Sequence, residues 1–433
     1  MRASDRQALN SMNQHTVARQ SAKLIQRRLL AEQHRLTERE QKNFQILELI
    51  RQRGPLTRTE LSQGTGFNIV TVSNYINQFL KRGLIAERGY DVSTGGRKPI
   101  LVELNAGASY AVGLDLGPMD VSKANTIAVI TDLRGRVVHR VTHPRSSDTM
   151  ERVLQSASAM VRELMATSPI DTKRIQGIGL GLPGLMDERA GTVRDTSHRG
   201  IRTSYIGVRD SLEAEFQLPV LVGNDATLAG YGELRLGIER SVENLIYLYS
   251  DVGASLIFNG QIYWGSSGSA GELGVFVPTD EDLLAWMKTP PFVYTNVWDL
   301  GISAQARKLL QEGQASAIRE LAGGDLERVT LDLVLQAAQQ NDALARELIE
   351  HAAIQLGVRI ASLVNLLNPD VVVIGGGIER LGSLLLEPVW RTVKRYAFEE
   401  PANLVDILPA QLGEHAVASG AACWVIREIF IQA

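Results

Sequence analysis

The chain has 433 residues, 44% of them hydrophobic and 21% charged, which is too long for one ordinary domain and excludes global disorder. No apolar run reaches the roughly 18 residues that span a bilayer, and the first residues carry no apolar signal-peptide core, so a cytoplasmic protein is expected. A single cysteine, Cys423, excludes an internal disulfide and any zinc site built from several cysteines.

The net charge is only −3, but it is unevenly spread. Residues 1–104 carry 17 Lys/Arg against 9 Asp/Glu, a balance of +8; subtraction from the chain totals of 45 and 48 leaves 28 and 39 for the rest, a balance of −11. A basic head on an acidic body suits an end that faces nucleic acid, because phosphates are neutralised by clustered cations. A solvated charged surface gives the same balance.

Residues 1–40 form a polar arm rich in Arg and Gln, with Val17, Leu24, Ile25, Leu29, Leu30 and Leu36 at roughly helical spacing. Residues 41–104 form the next unit. A first helix from Gln41 places Phe44, Leu47, Leu49 and Ile50 on its apolar side, and Gly54-Pro55 stops it. Thr57 and Glu60 have the spacing of a capping box, which starts a short second helix ending near Gly64–Gly66. Asn68 is a suitable N-cap for a third helix, with Val72, Ile76, Phe79 and Leu80 facing inward and Gly83 closing it. Two apolar stretches, Leu84–Glu87 and Pro99–Leu104, then flank the polar tip Gly95-Gly96-Arg97-Lys98, the pattern of a β-hairpin.

Three helices followed by a basic hairpin read as a winged helix-turn-helix. In that motif the second helix of the turn enters the major groove. Its outward residues here are Thr71, Ser73, Asn74, Asn77 and Gln78, small polar and amide side chains able to read base edges. Arg97 and Lys98 at the wing tip suit phosphates or the minor groove. The expected partner is a double-stranded DNA operator.

Beyond Asn105 strands alternate with helices. Tyr110–Asp115, Thr126–Asp132, Val137–Val141, Ile175–Leu180, Leu245–Tyr249, Ala254–Phe258, Gln261–Trp264 and Val371–Ile374 read as strands, and Met150–Ala166 as a helix. Two α/β lobes around a cleft fit this order. The first lobe spans about 105–225 plus the C-terminal helix, and the second about 226–410. No short tandem repeat is visible.

These segments resemble the ROK family (repressors, open reading frames and kinases), in particular its sugar-responsive repressor branch. The likeness rests on TVSNYINQFLKRGLI at 71–85, STGGRKP at 93–99, GLDLG at 113–117, GLGLPG at 179–184, GNDA at 223–226, GSAGELG at 268–274 and NPDVVVIGGGI at 368–378. The resemblance implies an α/β actin-like, hexokinase-type two-lobed domain for residues 105–433, behind the winged helix-turn-helix. It also implies a sugar or sugar-phosphate effector between the lobes, and a homodimer or tetramer. Asn224 and Asp225 match the pair that holds sugar hydroxyls in family kinases, where the Asp is the base, and Glu272 matches the Glu of the Glu-x-Gly-His motif.

The departures from the family pattern argue against catalysis. Asp115-Leu116-Gly117 is followed by Pro118-Met119 where kinases continue Gly-Thr, so an amide and a hydroxyl are missing from the phosphate turn. Ser250-Asp251-Val252-Gly253 replaces the second phosphate loop and adds a carboxylate. The turn Gly375-Gly376-Gly377 keeps the family form. Val275 stands at the motif histidine, and Phe276–Leu300 contains neither His nor Cys, so the family's zinc loop is absent. No catalytic residue, metal or cofactor is therefore expected. Trp286, Phe292, Tyr294 and Trp298 suit packing or a sugar face, and His198 near the expected cleft reads as a surface residue. The alternatives are a sugar kinase with an added DNA-binding head, and a ligand-independent regulator whose ROK domain is degenerate.

Overall fold

The computed structural model describes residues 36–90, 99–117, 125–144, 150–187, 191–194, 202–250, 253–273 and 299–433. The polar arm to residue 35, the hairpin tip with Arg97 and Lys98, Pro118-Met119, His198, Asp251, Val275 and the four aromatics at 286–298 lie outside them.

The head begins with α1 (Glu38–Arg53), three residues before the expected Gln41, because Thr37 and Glu40 form a reciprocal capping box. The buried face of α1 also differs from the expected stripe. Asn43, Ile46 and Glu48 are buried with Leu47 and Ile50, whereas Leu49 is only half-buried. Strand β1 (Leu56–Thr57) leads into α2 (Arg58–Thr65), opened by the Thr57–Glu60 capping box and closed by Gly66 at φ 73°. Next, α3 (Ile69–Lys81) is capped by Asn68, whose Oδ1 accepts the Thr71 N–H at 2.8 Å. Val72, Ile76 and Phe79 are fully buried, while Leu80 is half-buried. Strands β2 (Ile85–Tyr90) and β3 (Ile100–Leu104) pair antiparallel, and β1 joins the far edge of β3.

The body is built from two five-stranded sheets with one shared topology. In chain order, β4 (Tyr110–Asp115), β5 (Asn125–Asp132) and β6 (Val137–Pro144) form an antiparallel meander, followed by α4 (Met150–Thr167) and β7 (Ile175–Leu182). A small sheet of β8 (Leu185–Asp187), β9 (Thr192–Arg194) and β10 (Arg202–Ser204) precedes α5 (Ile206–Phe216) and β11 (Val220–Asn224). After the buried helix α6 (Asp225–Gly232) the second meander follows, β12 (Leu245–Tyr249), β13 (Gly253–Phe258) and β14 (Gln261–Ile262). Helices α7 (Ile302–Gln311), α8 (Ala317–Leu321), α9 (Leu331–Gln339) and α10 (Ala343–Leu367) lead to β15 (Val371–Gly375). Then come α11 (Ser383–Tyr396), α12 (Glu399–Leu404), β16 (Asp406–Pro409) and α13 (Ala416–Ile431).

The sheet orders are β6-β5-β4-β7-β11 and β14-β13-β12-β15-β16. In each, the first three strands are antiparallel neighbours and the last two run parallel to the first. The last helix of each half crosses to the other. Helix α6 leaves the first sheet and packs on β12 and β13, whereas α13 leaves the second and packs on β4 and β7. The two helices meet where side chains are absent: a Cβ on Gly420 would lie 1.8 Å from the Leu228 carbonyl oxygen, and one on Gly113 in β4 1.9 Å from that of Ala418. The α6–α13 cross therefore sits between the lobes, and α13 belongs with the first.

The head shares a core with that first lobe. Ile46, Leu47, Phe79, Val102 and Leu104 of the head join Ala111, Val129, Leu133, Trp424 and Phe430 in one apolar cluster. No helix among the described residues is long and apolar enough to cross a membrane.

Candidate functional site

Two places in the fold collect the expected functional residues: the outer face of α3 and the N-terminal end of α6.

On α3, Asn74 and Asn77 are exposed, and Thr71 and Ser73 are half-buried on the same side. Arg58 of α2 donates to the Asn77 Oδ1 at 3.3 Å, which leaves the Asn77 amide N–H groups facing out. Gln78 does not face out. Its Nε2 donates to the Ala433 carbonyl at 3.0 Å, because α13 packs on α1 and the residues that follow it reach α3. Asn43 of α1 also donates to the carbonyls of Ile431, at 3.0 Å, and Ala433, and Arg82 to that of Gln432 at 2.7 Å. Gln78 is thus a joint between head and body. Helical spacing alone places it with the outward residues; its partner lies 355 positions away. That spacing missed Ile69 and Val70, which are 44% and 67% exposed in the first turn of α3.

The second joint is ionic. Glu48 of α1 is buried between Arg51, whose Nη2 and Nε donate at 2.7 and 2.9 Å, and Arg235, which pairs with the same carboxylate. Arg51 also donates to the carbonyls of Arg134 and Arg235, at 3.3 and 3.1 Å. Arg235 lies on the π-turn Glu233–Gly237 that continues α6, and its guanidinium stacks over Phe44 of α1, 5.2 Å from the ring centre. The side chains of Glu48, Arg51 and Arg235 are each under 10% exposed. Sequence reading missed this cluster, since a helical Glu-x-x-Arg normally marks a solvated face.

At the opposite end of α6 stand Asn224 and Asp225. Asn224 is the helix N-cap: its Oδ1 accepts the Thr227 N–H at 3.0 Å, while its Nδ2 donates to the Gly184 carbonyl at 3.2 Å. One amide N–H remains for a ligand, so its main role is to hold the GLGLPG loop against α6. Asp225 is buried, with Oδ1 accepting the Ala226 N–H at 2.8 Å. Glu272 is seated beside β13 by the Ala254 N–H, which donates to the Gly271 carbonyl at 2.7 Å. Burial pushes the Asp225 carboxyl up to about 8, reinforced by the nearby Asp115 and Glu272 carboxylates. Burial likewise pushes Glu272 up to about 7. Near neutral pH the pair thus offers hydroxyl-type donors as well as acceptors, which is what a polyol needs. Tyr249 ends β12 close to Asp115 and Asp225, where burial raises its phenol well above the ordinary range.

In the described parts of the turns that would face a nucleotide, three backbone N–H groups have internal partners. The Gly117 N–H donates to Asp115 Oδ1 at 2.7 Å. The Ser250 N–H donates to the Gly375 carbonyl at 2.9 Å, and its hydroxyl to that of Gly376 at 3.0 Å. In the Gly375-Gly376-Gly377 turn, intact in sequence, the Gly377 N–H donates to Glu379 Oε2 at 2.7 Å. Phosphate cradles depend on free backbone N–H groups, and a carboxylate in one repels phosphate. Among the described residues, no group of three or more His, Cys, Asp or Glu is arranged to hold a metal ion.

The chain is similar to several known proteins. The chain is 26% identical to the xylose repressor of Caldicellulosiruptor bescii, over 89% of this chain and 95% of that protein. It is 27% identical to the DNA-binding transcriptional dual regulator NagC of Escherichia coli K12, over 88% and 91%. Among solved structures, a ROK family transcriptional regulator homologous to the E. coli MLC protein superposes with a TM-score of 0.71 at 20% identity, covering 91% of this chain and 98% of that one. The two-lobed actin-like fold is shared with that structure. Since the ROK family model itself matches residues 111–428, the chain belongs to the ROK family.

Proposed function

We propose that the chain is a DNA-binding transcriptional regulator, a repressor of carbohydrate-metabolism genes, released or tightened by a sugar or sugar derivative bound at Asn224, Asp225 and Glu272. Residues 38–104 act as a winged helix-turn-helix. Asn74 and Asn77, with Thr71 and Ser73, face base edges, and Arg97 and Lys98 contact phosphates. The observation that carries this reading is helix α6. One end holds the buried Asp225 carboxyl, and the π-turn at the other inserts Arg235 into the head. A ligand that prefers one lobe arrangement thereby has a rigid route to the DNA-reading helix, and differential affinity for two states is what regulation requires.

The chain acts as a homodimer or tetramer, so that two heads meet two half-sites. The internal partners of the N–H groups in the nucleotide turns favour a non-catalytic body. The names of its relatives make xylose and N-acetylglucosamine the first effectors to try. Fluorescence anisotropy with a labelled duplex from upstream of the chain's own gene tests the reading. Salt-dependent binding that changes on adding a sugar, with Asp225→Asn unresponsive, is expected. Failure to bind any duplex at low salt, or ATP-dependent phosphorylation of a sugar, overturns it.

A further inference from the structure

The first turn of α3 breaks the rule its own helix follows. Inward positions Val72, Ile76 and Phe79 are fully buried, yet Ile69 and Val70 direct two large β-branched side chains into solvent. Leaving Val70 67% exposed forgoes burial that elsewhere stabilises the head. The surroundings are as unusual as the pair. Residues 61–80 contain no Asp, Glu, Lys, Arg or His, within a chain that is 21% charged. The first turn also lacks the acidic residues that helix N-termini favour. Exposed amides, Asn68, Asn74 and Asn77, flank the apolar pair.

A neutral, carboxylate-free surface of amides around two branched alkyl groups matches one face of duplex DNA. In the major groove an A·T pair presents adenine N6 and N7, which Asn pairs bidentately, beside the thymine C5-methyl, which takes apolar contact. The first turn of the second helix of a helix-turn-helix is the part that reaches base edges. Two side chains make too small a patch for a protein interface, which needs about 800 Å² on each partner. They are the right size for one or two methyl groups.

Resting on the DNA-binding reading above, we propose that Ile69 and Val70 are specificity-determining residues that contact thymine methyl groups, so that the head selects A·T pairs at the positions under the first turn of α3. The contact forms no covalent bond and needs no charge. It contributes discrimination, whereas Arg97 and Lys98 contribute affinity without sequence preference.

Deoxyuridine differs from thymidine only by lacking that methyl group, and this isolates the contact. Duplexes selected by the full chain from a random-sequence pool are remade with dT or with dU, and their affinities compared for the wild type and the I69A/V70A variant. The wild type is expected to bind the dU duplex about fourfold more weakly for each methyl contacted, the size of one buried methyl group. The variant is expected to bind both duplexes equally, with melting temperature and sedimentation unchanged.

Equal wild-type affinity for the two duplexes overturns the proposal, as does a dT preference that survives in I69A/V70A. A variant whose oligomeric state changes shows that the pair is a protein contact, which also overturns it. If the selection enriches no sequence and no duplex binds at low salt, the DNA-binding reading itself falls, a result distinct from the first three.

Discussion

The two ends of helix α6 bury charge in opposite ways. At the end in the head, Glu48 is enclosed together with Arg51 and Arg235, so its charge is matched within the protein. At the other end, Asp225 is buried with Asp115 and the half-buried Glu272 near it, and burial drives Asp225 and Glu272 toward the neutral form. Burying an unpaired carboxylate is costly, and proteins retain the cost chiefly where a ligand is to be met. The matched end is a joint, and the unmatched end is where we propose that a ligand binds.

Removing one partner of the matched cluster gives the largest effect. Glu48→Ala leaves two guanidiniums buried without a counter-charge and is expected to cost about 3–5 kcal/mol in urea denaturation. Removing Arg235 as well is expected to restore part of that loss. If Glu48→Ala is neutral, the cluster is not a joint.

Asp225→Asn tests the unmatched end, and its sign is opposite. The folded carboxyl keeps its proton to about 8, whereas the unfolded one releases it near 3.8. Between those values the folded state binds more protons, so this group makes stability fall as pH rises from about 4 to 8. Asp225→Asn is expected to flatten that fall in melting curves taken from pH 5 to 8, and to be at least as stable as the wild type at pH 8. An unchanged slope in the variant removes the argument for a receptor at this end.

The rod between the two ends is tested by Gly420→Ala, whose new methyl meets the α6 backbone at Leu228. A loss of about 1–3 kcal/mol is expected, from overpacking of the α6–α13 cross. Thr57→Ala is the control. It removes the cap of α2, away from both ends, and is expected to lower stability by about 1 kcal/mol while leaving effector response intact.

What the sequence showed of this molecule divides along the same line as local and distant contacts. Helix α3 was legible because its cap and inward face are written within thirteen residues, and the Thr57–Glu60 box for the same reason. The Thr37–Glu40 box was equally local, but it lies at the edge of a polar arm whose composition masked it. Among the body strands, Tyr110–Asp115 and Leu245–Tyr249 match their expected bounds, Gln261–Trp264 is two residues too long, the others are one to three residues short, and β8–β11 and β16 carried no legible pattern. The shared topology of the two sheets was not legible, since strand order leaves no tandem signature in residues that need only be apolar. In the candidate sites, Asn224, Asp225 and Glu272 stand out through short motifs. The bond from Gln78 to Ala433, the burial of Glu48 and the bond from Gly377 to Glu379 each depend on partners or a backbone path that no local pattern encodes.

The common core of the head and the first lobe has a mechanical consequence. A reading head on a flexible tether tolerates variable gaps between half-sites, because the tether takes up the difference. Here the head has no tether: it is one solid with the first lobe, so in a pair of subunits the two α3 helices stand at a distance set by how the bodies abut. The proposed dimer would work as a pair of callipers. Its operator should carry a fixed spacer, and inserting half a helical turn between the half-sites, about 5 base pairs, should abolish binding as completely as destroying one of them.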